Sequence, residues 1–139
     1  MTAEGRLRLL LRIWMVVFAL GAVDYLLFPD AVTGSLNSGH LVSPFPGATT
    51  GHSDFWLALA VGYMVLITLL AWDAQRGPRV AARPVVYLVA AKIASSLAAL
   101  AHFLTGAHLG GFLAGFLVDG AIALVTYAFY RSARPALAA

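Results

Sequence analysis

The sequence contains no cysteine, and only 11% of its 139 residues are charged. The absence of cysteine excludes disulfide bonds, thiol catalysis and thiolate metal sites. Soluble domains carry about 25% charged residues, so this chain has too few charges to cover a water-exposed surface. With 61% hydrophobic residues and a mean hydropathy of +0.86, a chain this short cannot bury its apolar surface in one core. Lipid must cover the excess, which predicts an integral membrane protein.

The sequence also lacks the short motifs that carry enzyme chemistry. It has no phosphate-binding glycine loop, no nucleophile elbow, no HExxH and no paired catalytic acids with a base. We therefore expect a protein that is not an enzyme, and we predict no cofactor. The net charge of +3 does not indicate nucleic-acid binding, because the arginines lie at the ends of apolar segments rather than along one polar face.

Four apolar runs are each long enough to cross a bilayer, which takes about 20 residues. We predict one all-α domain, 1–139, that forms a bundle of four transmembrane helices at about residues 8–28, 54–72, 84–104 and 109–130. The first run has the basic start of a signal peptide. Its apolar character continues to Phe28 and the chain begins at Met1, so we expect it to remain uncleaved. Pro29 should end it, because the residue before a proline disfavours helix.

The basic residues are distributed asymmetrically between the predicted loops. Eight of the nine flank the spans at the N-terminus, between the second and third spans, or at the C-terminus. The long connection 29–53 and the short turn 105–109 contain none. Because Lys and Arg stay on the cytoplasmic side, we predict that both termini are cytoplasmic and that both of these connections are outside. This places the chain in a bacterial inner membrane.

One charge lies inside a predicted span, that of Lys92 near the middle of the third. A cation there costs about 2.5–3.5 kcal/mol on insertion scales unless it is paired or hydrated. Counted at about 1.5 Å per residue from the basic ends, polar residues of the other spans reach a similar depth. The predicted intramembrane polar cluster comprises Lys92, Asp119, Asp24, Ser95, Ser96 and Tyr63.

Two interpretations of this cluster are open. The first is a structural ion pair of Lys92 with Asp119 or Asp24, since intramembrane charges are usually paired. The second is a site for a proton, an ion or the polar head of a ligand. It follows from the excess of carboxylates, because two of them facing one ammonium would leave a net negative charge in a low-dielectric place.

Four histidines and one aspartate could ligate a metal on the predicted outer side. Imidazole and carboxylate groups suit zinc or copper. No helix bears two of the histidines, and HxxxH spacing is absent, so we expect interfacial histidines beside polar loops and no bound metal. The candidates are His40, His52, His102, His108 and Asp54.

Small residues recur at helical spacing on the last two spans. Such residues let helix backbones approach closely in lipid. They predict packing inside the bundle or, alternatively, docking onto another subunit. The positions are Gly111 and Gly115 in the fourth span, and Ala90, Ala94 and Ala98 in the third.

Three short patterns occur in order along the chain: YLLFP closing the first span, KxxSS in the third and VDG in the fourth. The matching residues are Phe28 and Pro29; Lys92, Ser95 and Ser96; and Val118, Asp119 and Gly120. In these patterns the chain resembles the small four-helix bacterial membrane proteins of the DoxX-like families. The resemblance implies a four-helix membrane protein, often an accessory one, and it assigns no role to any residue.

Two hypotheses of function follow. The leading one is a non-enzymatic accessory or scaffold subunit that packs against a larger membrane complex, because the chain has small-residue stripes, short loops and no catalytic groups. The alternative is a small transporter or lipophile-binding protein that uses Lys92, Asp24 and Asp119. In both cases the expected partners are the lipid bilayer and another membrane protein or a second copy, and not nucleic acid.

Overall fold

A computed structural model describes residues 1–31, 53–105 and 110–138. Over these ranges the chain is helical and contains no strand. Its long helices are α1 (Ala3–Leu27), α2 (Ser53–Gln75), α3 (Ala82–Thr105) and α4 (Gly110–Ala138). All four are long and apolar enough to cross a membrane. The predicted all-α class with four helices of spanning length is therefore confirmed for the part of the chain described.

The helices extend past the predicted spans into the arginine-rich segments. α1 begins at Ala3 rather than near residue 8, because the Thr2 hydroxyl accepts a hydrogen bond from the Gly5 amide at 3.1 Å and caps the helix. α4 continues to Ala138 with Pro135 inside it. Hydropathy locates where lipid contact ends, whereas backbone hydrogen bonding continues through the polar residues beyond.

The four helices form a ring. α1 packs mainly on α2 and α3 mainly on α4, while smaller α1–α4 and α2–α3 contacts close the ring. Residues from both ends of the chain and from the α2–α3 region share one buried cluster that contains Leu7, Ala74, Val85 and Ala133. The eight arginines therefore gather at one end of the bundle, here called the basic end; the opposite end is called the distal end.

The buried core lies mostly in the half of the bundle at the basic end. Side chains enclosed there include Leu7, Leu11, Ile67, Ala71, Val85 and Leu88. On the distal side of the level of Phe18, Ala22 is the one hydrophobic residue that is buried among those described. The outer surface is apolar as well: Leu20, Leu26 and Leu124 are 60%, 67% and 72% exposed. Large exposed apolar surfaces of this kind indicate contact with lipid or with a partner.

Arg8 fastens the start of α1 to the end of α2. Its guanidinium donates hydrogen bonds at 2.8, 3.0 and 2.9 Å to the backbone carbonyl oxygens of Gln75, Gly77 and Pro78. It also pairs with Glu4 at 3.2 Å, and the Glu4 carboxylate accepts from the Val80 amide at 2.9 Å. The last carbonyls of a helix lack intrahelical donors. Arg8 supplies a donor to the last of these carbonyls, that of Gln75, and to two carbonyls of the turn that follows, a role that its position as a flanking charge does not reveal.

Candidate functional site

The charge inside α3 is paired with a carboxylate of α4. The Lys92 ammonium lies 2.8 Å from Asp119 Oδ1, and the two side chains are 3% and 17% exposed. The Ser95 hydroxyl donates to the other carboxylate oxygen of Asp119. Ser95 lies one turn of α3 closer to the distal end than Lys92. The long lysine side chain therefore extends toward the distal end to contact the same carboxylate that the short Ser95 side chain contacts from its own level. Both oxygens of Asp119 therefore have donors.

Two aromatic rings from the other helices cover the ammonium. Lys92 Nζ lies 4.2 Å from the ring centroid of Phe18 on α1 and 4.8 Å from that of Tyr63 on α2. A desolvated cation over aromatic faces gains about 2 kcal/mol. The predicted cluster lacked Phe18, although the residue lies on the same face of α1 as the buried Leu11 and Ala22. That spacing is the signal by which the sequence could have revealed it.

Two further members of the predicted cluster differ in their surroundings. The Tyr63 hydroxyl is buried beside Ser95 but makes no well-formed hydrogen bond to any described residue. The Ser96 hydroxyl turns away from the pair and donates to the Phe116 carbonyl of α4 at 2.8 Å. A Cβ on Gly120 would lie 3.1 Å from that hydroxyl oxygen. Ser96 thus belongs to the close α3–α4 contact and not to the group around Asp119.

Asp24 lies apart from the pair. Its side chain is exposed, and it takes part in no ion pair within the described ranges. It follows Phe18, which is level with the lysine ammonium, by six residues, or about 9 Å along the helix axis. Counting residues from the basic ends predicts the same depth for Asp24 and Lys92. In the structure Asp24 lies near the end of α1, beyond the level of the lysine ammonium.

Most of the predicted metal ligands fall where their side chains are not described. The exception is His102 in the last turn of α3, whose ring stacks on Phe112 with centroids 5.3 Å apart. No group of three potential ligands comes together among the described residues. Asp54 lies in the first turn of α2. The histidines outside the described ranges are His40, His52 and His108.

Only part of the small-residue pattern packs inside the bundle. A Cβ on Gly115 would lie 3.6 Å from the Cβ of Ala99, so this glycine faces α3. A Cβ on Gly111 would meet nothing within 4 Å. The predicted stripe on α3 points outward, since its three members are all exposed: Ala90, Ala94 and Ala98.

The surface formed by the described residues includes a larger and a smaller apolar groove. The larger, of about 560 Å³, runs between α3 and α4 and includes Ser96, Gly120 and Leu124 in its lining. The smaller, of about 260 Å³, runs between α1 and α2 and includes Val23, Leu26 and Leu69. Hydrocarbon chains or apolar side chains of a neighbour could occupy either.

Comparison of the chain with protein-family models, with curated proteins and with solved structures gives no match in any of the three. The likeness to DoxX-like proteins therefore depends on the three short sequence patterns alone. Any functional assignment has to come from the chain's own side chains.

Proposed function

We propose that this protein is a non-enzymatic accessory or scaffold subunit of a bacterial inner membrane, which packs against a larger membrane complex. The observation that carries the proposal is that the Lys92 ammonium is paired and enclosed. Its ammonium already has a carboxylate partner and two aromatic faces, and only 3% of its side chain is exposed. A transport site needs a charge that can exchange partners with its cargo, whereas a structural ion pair needs enclosure.

The proposal includes a membrane orientation. The eight arginines at the basic end support a cytoplasmic location for that end and, with it, for both termini. Trp72 near the end of α2 supports a boundary between lipid and water at the basic end. Its side chain is 47% exposed, and its ring lies 5.3 Å from the guanidinium carbon of Arg76. Tryptophan favours the boundary between lipid and water.

The outer surface favours a protein neighbour. The stripe Ala90, Ala94 and Ala98 is exposed on α3, and small residues at this spacing allow a second helix backbone to approach closely. A bundle that used these alanines internally would not leave them outside. This supports the interpretation of the stripe as a docking surface over that of internal packing.

The groove between α3 and α4 favours a second candidate, a lipophile-binding protein. Its volume of about 560 Å³ and its nearly all-apolar walls suit a hydrocarbon chain. A carrier built on three intramembrane charges has less support, because Asp24 stands apart from Lys92 and Asp119.

The stoichiometry of the native complex separates these candidates. The tagged chain should be extracted in mild detergent at native abundance and its mass determined. We expect a fixed ratio to another membrane protein. A chain that runs alone or as a homo-oligomer would contradict the subunit proposal. Co-extraction of a lipid that is lost with Ala121→Phe inside the groove, but kept with Ala128→Phe outside it, would establish the second candidate instead.

A further inference from the structure

The exposed carboxylate of Asp24 lies in an apolar part of the outer surface. Along the helix axis it is about 9 Å from the level of the Lys92 ammonium, which lies near the middle of the bundle. This distance is shorter than the hydrocarbon half-thickness of about 15 Å, so the carboxylate falls within the apolar layer. Apolar side chains flank it on both sides along α1. Leu20 lies one turn closer to the basic end and is 60% exposed. Leu27 and Phe28 lie on the distal side of Asp24 and are 60% and 58% exposed. A carboxylate in such a belt costs about 2.5–3.5 kcal/mol at the bilayer centre and less toward the interface.

The described part of the chain offers Asp24 no cation. Lys92 is held by Asp119, and the arginines lie at the basic end, with the closest on α1, Arg12, about 18 Å away along the axis. His102, at the distal end of α3, stacks on Phe112 and forms no ion pair with Asp24. Among the described residues, then, none supplies a compensating charge for Asp24, and a partner protein can supply it.

We propose that Asp24 docks a transmembrane helix of a different protein, one that carries a lysine or arginine in the outer half of its span. The proposal rests on the accessory function above and names the partner's chemistry. A second copy of this chain does not fit. A two-fold symmetric pair in the same membrane orientation would bring Asp24 against Asp24. In any other parallel pair, Lys92 of the second copy is buried and its arginines are at the opposite end.

The face of α1 that carries Asp24 is otherwise apolar and exposed. Leu20 and Leu27 share this face with Asp24, four residues before it and three after it, and each is 60% exposed. Apolar side chains of a docked helix would cover this face while its cation met the carboxylate. An ion pair removed from water is held in fixed geometry by the packing around it, which gives specificity for one partner.

Site-specific photocrosslinking in native membranes tests the proposal. The full chain should carry a photoreactive residue at Leu20, beside Asp24, or at Leu124 on the far side, which is 72% exposed. We expect a protein adduct from Leu20 and none from Leu124. Asp24→Asn should reduce the adduct about tenfold or more, whereas Asp24→Glu and the matched control Asp30→Asn should leave most of it. The thermal stability of Asp24→Asn alone should not fall, since this variant only removes a lipid-facing charge.

The crosslinked protein then provides the decisive step. Its sequence should contain a Lys or Arg in the outer half of the crosslinked span, its replacement by Asp should abolish the adduct, and Asp24→Lys should restore it. An adduct unaffected by Asp24→Asn, or one made only with lipid or with a second copy, would overturn the proposal. A partner captured only from Leu124 would leave the accessory function standing and remove this inference. No stoichiometric partner from any position would remove both.

Discussion

The Lys92 side chain is accommodated in the middle of the bundle by contacts from all three other helices. Asp119 neutralises it, Ser95 occupies the second carboxylate oxygen, and Phe18 and Tyr63 cover the ammonium. Removing one partner strands the other, whereas removing both charges strands neither. In membranes the effect is smaller than in water-soluble cores, since the unfolded reference state is itself within lipid.

This argument predicts the behaviour of charge-neutralising variants. Lys92→Met and Asp119→Asn should each lower stability by about 1–3 kcal/mol, because each leaves a buried charge unpaired. The double variant should recover much of the loss. The measurement is thermal unfolding in detergent, with Asp24→Asn as the control that removes an exposed charge and should show no loss. Single variants as stable as the unmodified protein would mean that the pair does not hold the bundle together.

A second residue-scale prediction compares two glycines. Gly120 faces α3, and a methyl group there would press on the Ser96 hydroxyl at 3.1 Å, whereas one on Gly62 would meet nothing within 4 Å. Gly62→Ala should stabilise by up to about 1 kcal/mol through helix propensity. Gly120→Ala should be less stable than Gly62→Ala by about 1–2 kcal/mol, since overpacking opposes the same propensity gain.

Ser96→Ala provides the control for this comparison, because it deletes the oxygen that the new methyl would meet. Adding it to Gly120→Ala should close most of the gap in thermal stability. Equal stability of the two alanine variants at the outset would show that the α3–α4 contact is looser than the structure has it.

At the scale of elements, the contacts near the basic end hold the helices in register. Arg8 bonds three carbonyls where α2 ends, and the Trp14 indole donates to the Thr126 hydroxyl at 3.0 Å, which ties α1 to α4. Thr126 also donates to the Ile122 carbonyl within its own helix. Each helix pair that involves α1 therefore has a directional contact as well as apolar packing.

The Arg8 contact predicts an asymmetry between two arginines of α1. Arg8→Lys should destabilise by about 1–2 kcal/mol, because an ammonium cannot reproduce the planar fork that reaches three carbonyls. Arg12→Lys, at an exposed position, should change little. Hydrogen exchange at the amides of residues 76–81 should rise in Arg8→Lys alone. Equal effects of the two changes would contradict the capping role.

At the scale of the whole molecule, the gathering of eight arginines at one end predicts the orientation. The chain has no cysteine of its own, so a single introduced cysteine is the one thiol in it that can react with a labelling reagent. Ala31→Cys, at an exposed position beyond α1, should react with an impermeant thiol reagent in intact cells. Ala82→Cys, exposed at the start of α3, should react only after permeabilisation. The opposite labelling would invert the proposed topology.

What the sequence by itself determined is the class of protein and its division into helices. Length and hydropathy of a segment decide whether it can lie in lipid, and both are local properties that need no knowledge of neighbours. Lys92, Asp119 and Tyr63 could also be brought together in advance, because each is a polar group in an apolar segment and such groups seek each other. The start of α1 and the end of α2, by contrast, depend on hydrogen bonds of Thr2 and Arg8 that only the structure shows.

What only the tertiary structure decided is which faces meet, because axial register and helix rotation depend on packing between segments. Phe18 and Asp24 are six residues apart on α1, so at 3.6 residues per turn their side chains point about 120° away from each other around the helix axis. When Phe18 faces Lys92, Asp24 must face outward. The count of residues along each span groups both aspartates with the lysine, whereas axial position and helix rotation separate them: Asp119 pairs with Lys92 inside the bundle, and Asp24 lies on the surface.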